Sequence, residues 1–220
     1  MRVHIAEACG FCYGVRRAVE LASTAEKGTH TLGPIIHNPQ LVDSLSARGV
    51  SPVDSLQDVA DGSKVLIRSH GVGPHVYEEA EAKHLDVVDA TCPHVKKAQQ
   101  DARKVINDKK ALIIVGEKDH PEVISISQWG CNRAIIIDKV EEAKEIPYCE
   151  HMGVVVQTTF SQSRFKQIES VLAEKTDDLD VYMTICTATR QRQEAAVELA
   201  KKVDAMIVIG GKNSANTGRL

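Results

Sequence analysis

Short apolar runs rich in β-branched residues punctuate the chain, and each reads as a buried strand. They are VHIA at 3–6, KVLIRS at 64–69, DVVDA at 86–90, ALIIVG at 111–116, RAIIID at 133–138, GVVVQT at 153–158, DVYMTI at 180–185 and AMIVIG at 205–210. Between them, apolar positions recur at helical spacing, most clearly over 13–26, 74–83, 94–108, 162–174 and 188–202. Strands alternating with helices predict an α/β protein with mainly parallel sheets.

The order of elements also repeats. Three times a strand runs to a cysteine and then to a helix: VHIAEACGFC to Cys12, DVVDATC to Cys92, and DVYMTIC to Cys186. After each helix come a second strand, a glycine and a polar loop. The glycines are Gly33, Gly116 and Gly210, and four residues beyond each stands a polar side chain: His37, His120 and Ser214. A later strand delivers His70 in the first unit and Thr158 in the second. The matching position of the third unit would fall near 247–252, past Leu220, so that unit is expected to be incomplete. The pattern predicts three small α/β units about a pseudo-threefold axis: 13–91, 92–185, and 1–12 joined with 186–220. Ligands of parallel α/β sheets lie beyond the carboxyl ends of the strands. All the repeated polar positions sit at such ends, so three units would aim them at one centre.

Composition narrows the classes. Of 220 residues, 43% are hydrophobic and 26% charged, with a net charge of −3, which gives no electrostatic case for nucleic acid or an anionic membrane. No apolar run has the length of a membrane span, and MRVHIAEACG lacks the apolar stretch of a signal peptide. The expected compartment is the cytoplasm, where thiols stay reduced. The six cysteines, Cys9, Cys12, Cys92, Cys131, Cys149 and Cys186, are then free thiols rather than a disulfide framework.

A thiol at a helix start is expected to ionise readily, so Cys12, Cys92 and Cys186 are candidate thiolate ligands. Three thiolates suit zinc or an iron–sulfur cluster. Ligands delivered singly by separated loops favour the cluster, and three ligands on a [4Fe-4S] core leave one iron open to substrate. Glu122 and His120, together in GEKDHPEV, are candidates to supply protons. His37, His70, Ser214 and Asn216 offer donors to an anion, and no nucleotide-binding glycine loop is present. Two other classes fit the same residues. One is a zinc- or cluster-bearing sensor or binding module without catalysis. The other is a thiol oxidoreductase using the C-x-x-C pair Cys9 and Cys12.

The motifs GFCYGVRRAV, GPIIHNP, RSHGV, DATCPHV, GEKDHPEV, QTTFS, ICTATRQRQ and GGKNSANTGRL occur in this order over essentially the whole chain. In them the chain resembles the 4-hydroxy-3-methylbut-2-enyl diphosphate reductase family of the non-mevalonate isoprenoid pathway. The resemblance implies a trefoil of three α/β domains around a [4Fe-4S] cluster carried by Cys12, Cys92 and Cys186. It implies reductive removal of an allylic hydroxyl with two electrons and two protons, giving isopentenyl and dimethylallyl diphosphate. It assigns proton supply to Glu122, helped by Thr158 and His120, and the diphosphate surroundings to His37, His70, His120, Thr158, Ser214 and Asn216. Ferredoxin or flavodoxin would bring the electrons. Ala215 stands where the family often has a second serine, and the family pattern continues past Leu220 to another diphosphate-binding serine.

Overall fold

The computed structural model describes residues 2–212 and 214–220; Met1 and Asn213, the latter within GGKNSANTGRL, lie outside the described residues. Helix α1 (Tyr13–Ser23) precedes a first sheet of β1 (His30–Leu32), β2 (Ser51–Val53), β3 (Lys64–Ile67) and β4 (Asp86–Asp89). Helix α2 (Pro39–Ala47) joins β1 to β2, and α3 (Pro74–Ala82) joins β3 to β4. Helix α4 (Pro93–Asn107) then leads into a second sheet of β5 (Ala111–Val115), β6 (Ile135–Ile137), β7 (His151–Val156) and β8 (Asp178–Tyr182). Its connections are α5 (Pro121–Trp129), α6 (Val140–Glu145) and α7 (Gln162–Ala173), and α8 (Thr187–Ala200) and α9 (Ala215–Gly218) follow.

The sheets are copies of one design. Their strand orders are β2-β1-β3-β4 and β6-β5-β7-β8, and every pairing is parallel. A parallel sheet covered on both faces needs apolar side chains on both, which is why ALIIV and MGVVV are unbroken apolar runs. In β5, Ile113 and Val115 pack with Phe160, Phe165, Ile168 and Leu172 on one face. Leu112 and Ile114 pack with Ala98, Ala102, Val105, Val123 and Ile126 on the other. Helix α4 fits that face because its buried positions, Val95, Ala98, Ala102 and Val105, recur at intervals of three and four. Gly153 lets it approach: a Cβ there would stand 2.4 Å from Val105 Cγ2.

Two predicted strands do not form. VHIA at 3–6 and AMIVIG at 205–210 belong to no sheet, and Ile5 and Ile209 are 78% and 92% exposed. A strand is stabilised by a ladder partner, and among the described residues none pairs with either segment. Residues 1–12 and 186–220, expected to form a third unit, thus contribute α8 and α9 and no sheet among the described residues. The strand expected before Gly33 is β1, and the structure adds elements that short or weakly periodic sequence had hidden: β2, α2, α5, α6 and α9.

Candidate active site

In each sheet the strand order reverses between the first and third strands, and this switch point is where α/β sheets open a crevice. Gly33 leaves β1 by donating its N–H to Val53 O (2.8 Å), and Gly116 leaves β5 by donating to Ile137 O (2.8 Å). Gly33 holds φ +70°, and a Cβ on it would stand 2.6 Å from Arg68 Nη1, so both backbone and space require glycine. The loops then enter helices with proline in the first turn, α2 capped by Asn38 and α5 capped by His120. The repeat thus holds in the backbone with an offset of one residue, since His37 precedes its cap while His120 is the cap.

The two loops and the end of β3 bring three imidazoles together. Ring centroids lie 4.4 Å apart for His37 and His70, 5.5 Å for His37 and His120, and 5.4 Å for His70 and His120. His120 Nδ1 accepts the N–H of Glu122 at 3.2 Å, which places the ring proton on Nε2. Burial, aided by neighbouring positive charge, holds all three below the ordinary imidazole range: His37 lowered, His70 well below, and His120 at about 4. They are neutral near pH 7.

Glu122, on the first turn of α5, is 2% exposed. Its carboxylate accepts Thr158 N–H on Oε1 (2.6 Å) and Thr158 Oγ1–H on Oε2 (2.9 Å). Burial raises its pKa to about 6 against the opposing pull of those two bonds. Thr158 O in turn accepts the N–H of Cys186 at 3.0 Å, so the acid is one residue removed from a cysteine loop. Cys92 is held alike, its N–H donating to Ser69 O at 3.0 Å.

Cys12, Cys92 and Cys186 are the N-caps of α1, α4 and α8. Cross-ties fix their loops together. Arg17 of α1 donates to Asp89 O (3.1 Å) and Thr91 O (3.4 Å) beside Cys92, and Arg192 of α8 donates twice to Gly10 O (2.9 and 3.2 Å) beside Cys12. Gly14 brings α1 against Cys92: a Cβ there would stand 2.5 Å from Cys92 Sγ. The expectation of ready ionisation is corrected for Cys92. Burial raises its thiol pKa, and Cys12 and Cys186 push it further, against the N–H groups of His94 and Val95. Three thiols converging without a positive charge between them repel one another as thiolates, and a metal centre relieves that repulsion. The donor set therefore fits a thiolate-bound cluster.

Among the described residues, buried polar side-chain atoms without partners include three on or beside the histidine cluster, His37 Nε2, His70 Nδ1 and Arg68 Nε, with Gln157 Nε2, Thr159 Oγ1 and Arg219 Nη1 elsewhere on the loops that follow β7 and α9. Such atoms cost free energy unless a ligand or water completes them. Arg219 Nη2 pairs with Glu117 Oε1 at 2.5 Å while the guanidinium lies 4.6 Å from the Phe160 ring centre. It thereby docks α9 on the second unit. Ser214 caps α9 and Asn216 is an exposed residue within it; neither side chain makes a hydrogen bond to another described residue. The structure thus gathers His37, His70, His120, Glu122 and Thr158, and does not join Ser214 or Asn216 to them by any hydrogen bond among the described residues.

Several residues of the site have no sequence signal of their own. Arg68 and Arg219 stand inside the motifs RSHGV and GGKNSANTGRL, beside neighbours of more distinctive chemistry. Ser125 Oγ stands 3.0 Å from His70 O and 2.8 Å from Glu122 O, two carbonyls between which its one O–H is shared, and Gln99 Nε2 donates to Ser125 Oγ (3.2 Å); no local pattern announces that network. Cys9 and Cys131 are exposed, Cys149 is half-buried, and Cys9 lies outside α1.

Comparison with known proteins gives the family of the chain. The family model described as "LytB protein" matches residues 3–220. A Thermoanaerobacter sp. (strain X514) protein named 4-hydroxy-3-methylbut-2-enyl diphosphate reductase is 44% identical over 227 residues, covering 100% of this chain and 79% of the relative. A protein of the same name from Pelobacter propionicus is 45% identical over 223 residues, again with 100% and 79% covered. Among solved structures, the E-1-hydroxy-2-methyl-but-2-enyl-4-diphosphate reductase from Plasmodium falciparum superposes with a TM-score of 0.90 at 29% identity, over 96% of this chain and 69% of that one. A second, described as (E)-4-hydroxy-3-methyl-but-2-enyl diphosphate reductase, gives 0.76 at 41% identity, over 99% and 79%. With the fold, the two switch-point loops and the family match all in accord, this chain belongs to the LytB family.

Proposed function

We propose that the chain reduces 4-hydroxy-3-methylbut-2-enyl diphosphate to isopentenyl and dimethylallyl diphosphate, with Cys12, Cys92 and Cys186 carrying a [4Fe-4S] cluster. The observation that carries the reading is the juxtaposition of three N-cap cysteines with a buried acid, Glu122, one hydrogen-bonded residue away from Cys186. When bound, the cluster supplies single electrons and one iron without a protein ligand.

The chain's own residues account for the rest. Removing a hydroxyl as water consumes two electrons and two protons, and the remaining allylic carbon skeleton takes up one of those protons. Glu122, held near a pKa of 6, takes up and releases a proton within about one pH unit of neutrality, so it can relay protons to the site. Thr158 Oγ1 sits 2.9 Å from Glu122 Oε2 and is placed to pass that proton onward. Neutral His37, His70 and His120 present N–H donors, and the helix N-termini of α2 and α5 favour an anion beside them. Ser214 and Asn216 would complete the diphosphate site from α9. Single-electron donors of the ferredoxin or flavodoxin class match the chemistry, and a cytoplasmic setting matches six free thiols.

A metal ion at the histidines is the competing use of the same atoms, since their ring nitrogens lie within 4.8 Å of one another. Arg68 acts on all three rings as a like charge to any cation, and this favours an anion. The test is anaerobic turnover of the allylic diphosphate by the cluster-loaded chain with a chemical reductant, beside Glu122→Gln. Loss of turnover in the variant with iron content intact is the expected result. Equal turnover in both would remove Glu122 as proton source, and no turnover in either would favour a non-catalytic module.

A further inference from the structure

The diphosphate cradle has a charge problem. A diphosphate carries at least two negative charges at neutral pH, yet the three imidazoles that face it are neutral. Neutral donors orient phosphate oxygens, but a multiply charged anion leaving water calls for positive charge as well. Two guanidiniums lie at the site. Arg219 is committed to Glu117 at 2.5 Å and to the face of Phe160.

Arg68 is different. It follows β3 at the switch point of the first sheet, and its side chain folds over Gly33, whose missing Cβ makes room for it. Its carbonyl accepts the N–H of Gly71 at 3.0 Å, closing the turn that presents His70. Among the described residues it forms no salt bridge and donates no side-chain hydrogen bond, and its Nε is buried without a partner. A half-buried, uncompensated guanidinium is costly in a fold unless something anionic arrives to meet it. The histidine cradle beside it is where such an anion would sit.

We propose that Arg68 supplies the fixed positive charge that makes the His37, His70 and His120 cradle a diphosphate site and not a cation site. The proposal deepens the reductase reading and rests on it for the identity of the anion. It also explains why three histidines at metal-binding spacing need not collect a divalent ion: the guanidinium repels a cation from the place where it attracts a diphosphate.

The probe is inorganic pyrophosphate, titrated calorimetrically into the cluster-loaded chain without oxygen. Arg68→Met should weaken binding by about 10- to 100-fold. Arg68→Lys, which keeps the charge without the fork, should recover most of that loss. Iron content should match wild type in both. A merely structural role would not alter the salt response, so that is measured too. Wild-type affinity should fall as sodium chloride rises, and the Arg68→Met chain should respond less steeply. In turnover, KM should rise while kcat changes by less than about threefold, as expected for lost uniform binding. Zinc should inhibit Arg68→Met at lower concentration than wild type. Arg68→Gln, polar and uncharged, serves if the methionine variant does not fold. Pyrophosphate affinity within twofold of wild type in the uncharged variants overturns the proposal. The two readings fail separately. Pyrophosphate binding through Arg68 without reduction of the allylic diphosphate would sink the reductase reading alone. Turnover by wild type with unaltered pyrophosphate binding in the uncharged variants would sink only the role of Arg68.

Discussion

Replacing Glu122 by glutamine should make the protein more stable near pH 8 while stopping its chemistry. Glu122 is 2% exposed, and burial raises its carboxyl from an ordinary 4.5 to about 6. A folded-state pKa above the unfolded one means that the unfolded chain ionises first. The stability contributed by this group is thus complete below about pH 4.5 and is lost as pH rises through about 6. At roughly 1.36 kcal/mol per pH unit of displacement, full ionisation costs about 2 kcal/mol, less than half of which has developed by pH 5. Glutamine occupies nearly the same volume, can accept from Thr158 N–H, and carries no charge to bury. The difference in unfolding free energy between variant and wild type should therefore grow by about 1 kcal/mol from pH 5 to pH 8. In thermal unfolding that is about 2–4 °C for a chain of this size. Urea unfolding of identically prepared samples at pH 5, 6, 7 and 8 is the assay, because a difference between variants cancels other titrating groups. A difference that stays flat across this range, or that favours wild type more at pH 8 than at pH 5, would refute the reasoning.

Other expectations follow from the same contacts. Thr158→Val removes the hydroxyl donor to Glu122 Oε2. It should move the alkaline fall of kcat/KM to higher pH while lowering kcat, whereas Thr158→Ser should keep the wild-type profile; pH–rate curves decide. Gly14→Ala improves a helix residue by about 1 kcal/mol in propensity. It nevertheless drives a methyl to 2.5 Å from Cys92 Sγ, so iron content should drop although helicity by circular dichroism does not. Ser125→Ala removes the O–H shared between His70 O and Glu122 O; about 1 kcal/mol of stability should go, with a higher KM for the diphosphate substrate in steady-state kinetics.

How much of this was legible beforehand depends on the kind of signal. The strands ALIIV and MGVVV were plain because both faces of a parallel sheet must be apolar. Strand His30–Leu32 was legible only through the repeat that puts a strand before Gly33, and Ser51–Val53, three residues with a proline, has no apolar run to announce it. VHIA and AMIVIG carry the strand composition but lack a partner among the described residues, and composition cannot supply one. The placing of Cys12, Cys92 and Cys186 at helix starts was readable, since each precedes a periodic segment. The ionisation of Cys92 was not. Helix N-termini favour a thiolate, but at Cys92 burial and the two neighbouring thiols outweigh them, and depth is a property of the packed chain. Glu122 was found through its motif, yet its pairing with Thr158 spans 36 residues and arises only when β5 and β7 lie side by side. Arg68 has no sequence signal of its own, because an arginine two residues before a histidine looks like any solvated charge until its lack of a partner is seen.

The central claim is that three cysteines at three helix N-termini hold one cluster that does the reduction. Iron content and anaerobic single-turnover conversion of the allylic diphosphate, measured in the same samples of all six single cysteine-to-alanine variants, test it most directly. Cys12→Ala, Cys92→Ala and Cys186→Ala should each lose iron and conversion together, while Cys9→Ala, Cys131→Ala and Cys149→Ala keep both. Full iron and full conversion in Cys186→Ala, or loss of both in Cys9→Ala, would contradict the account.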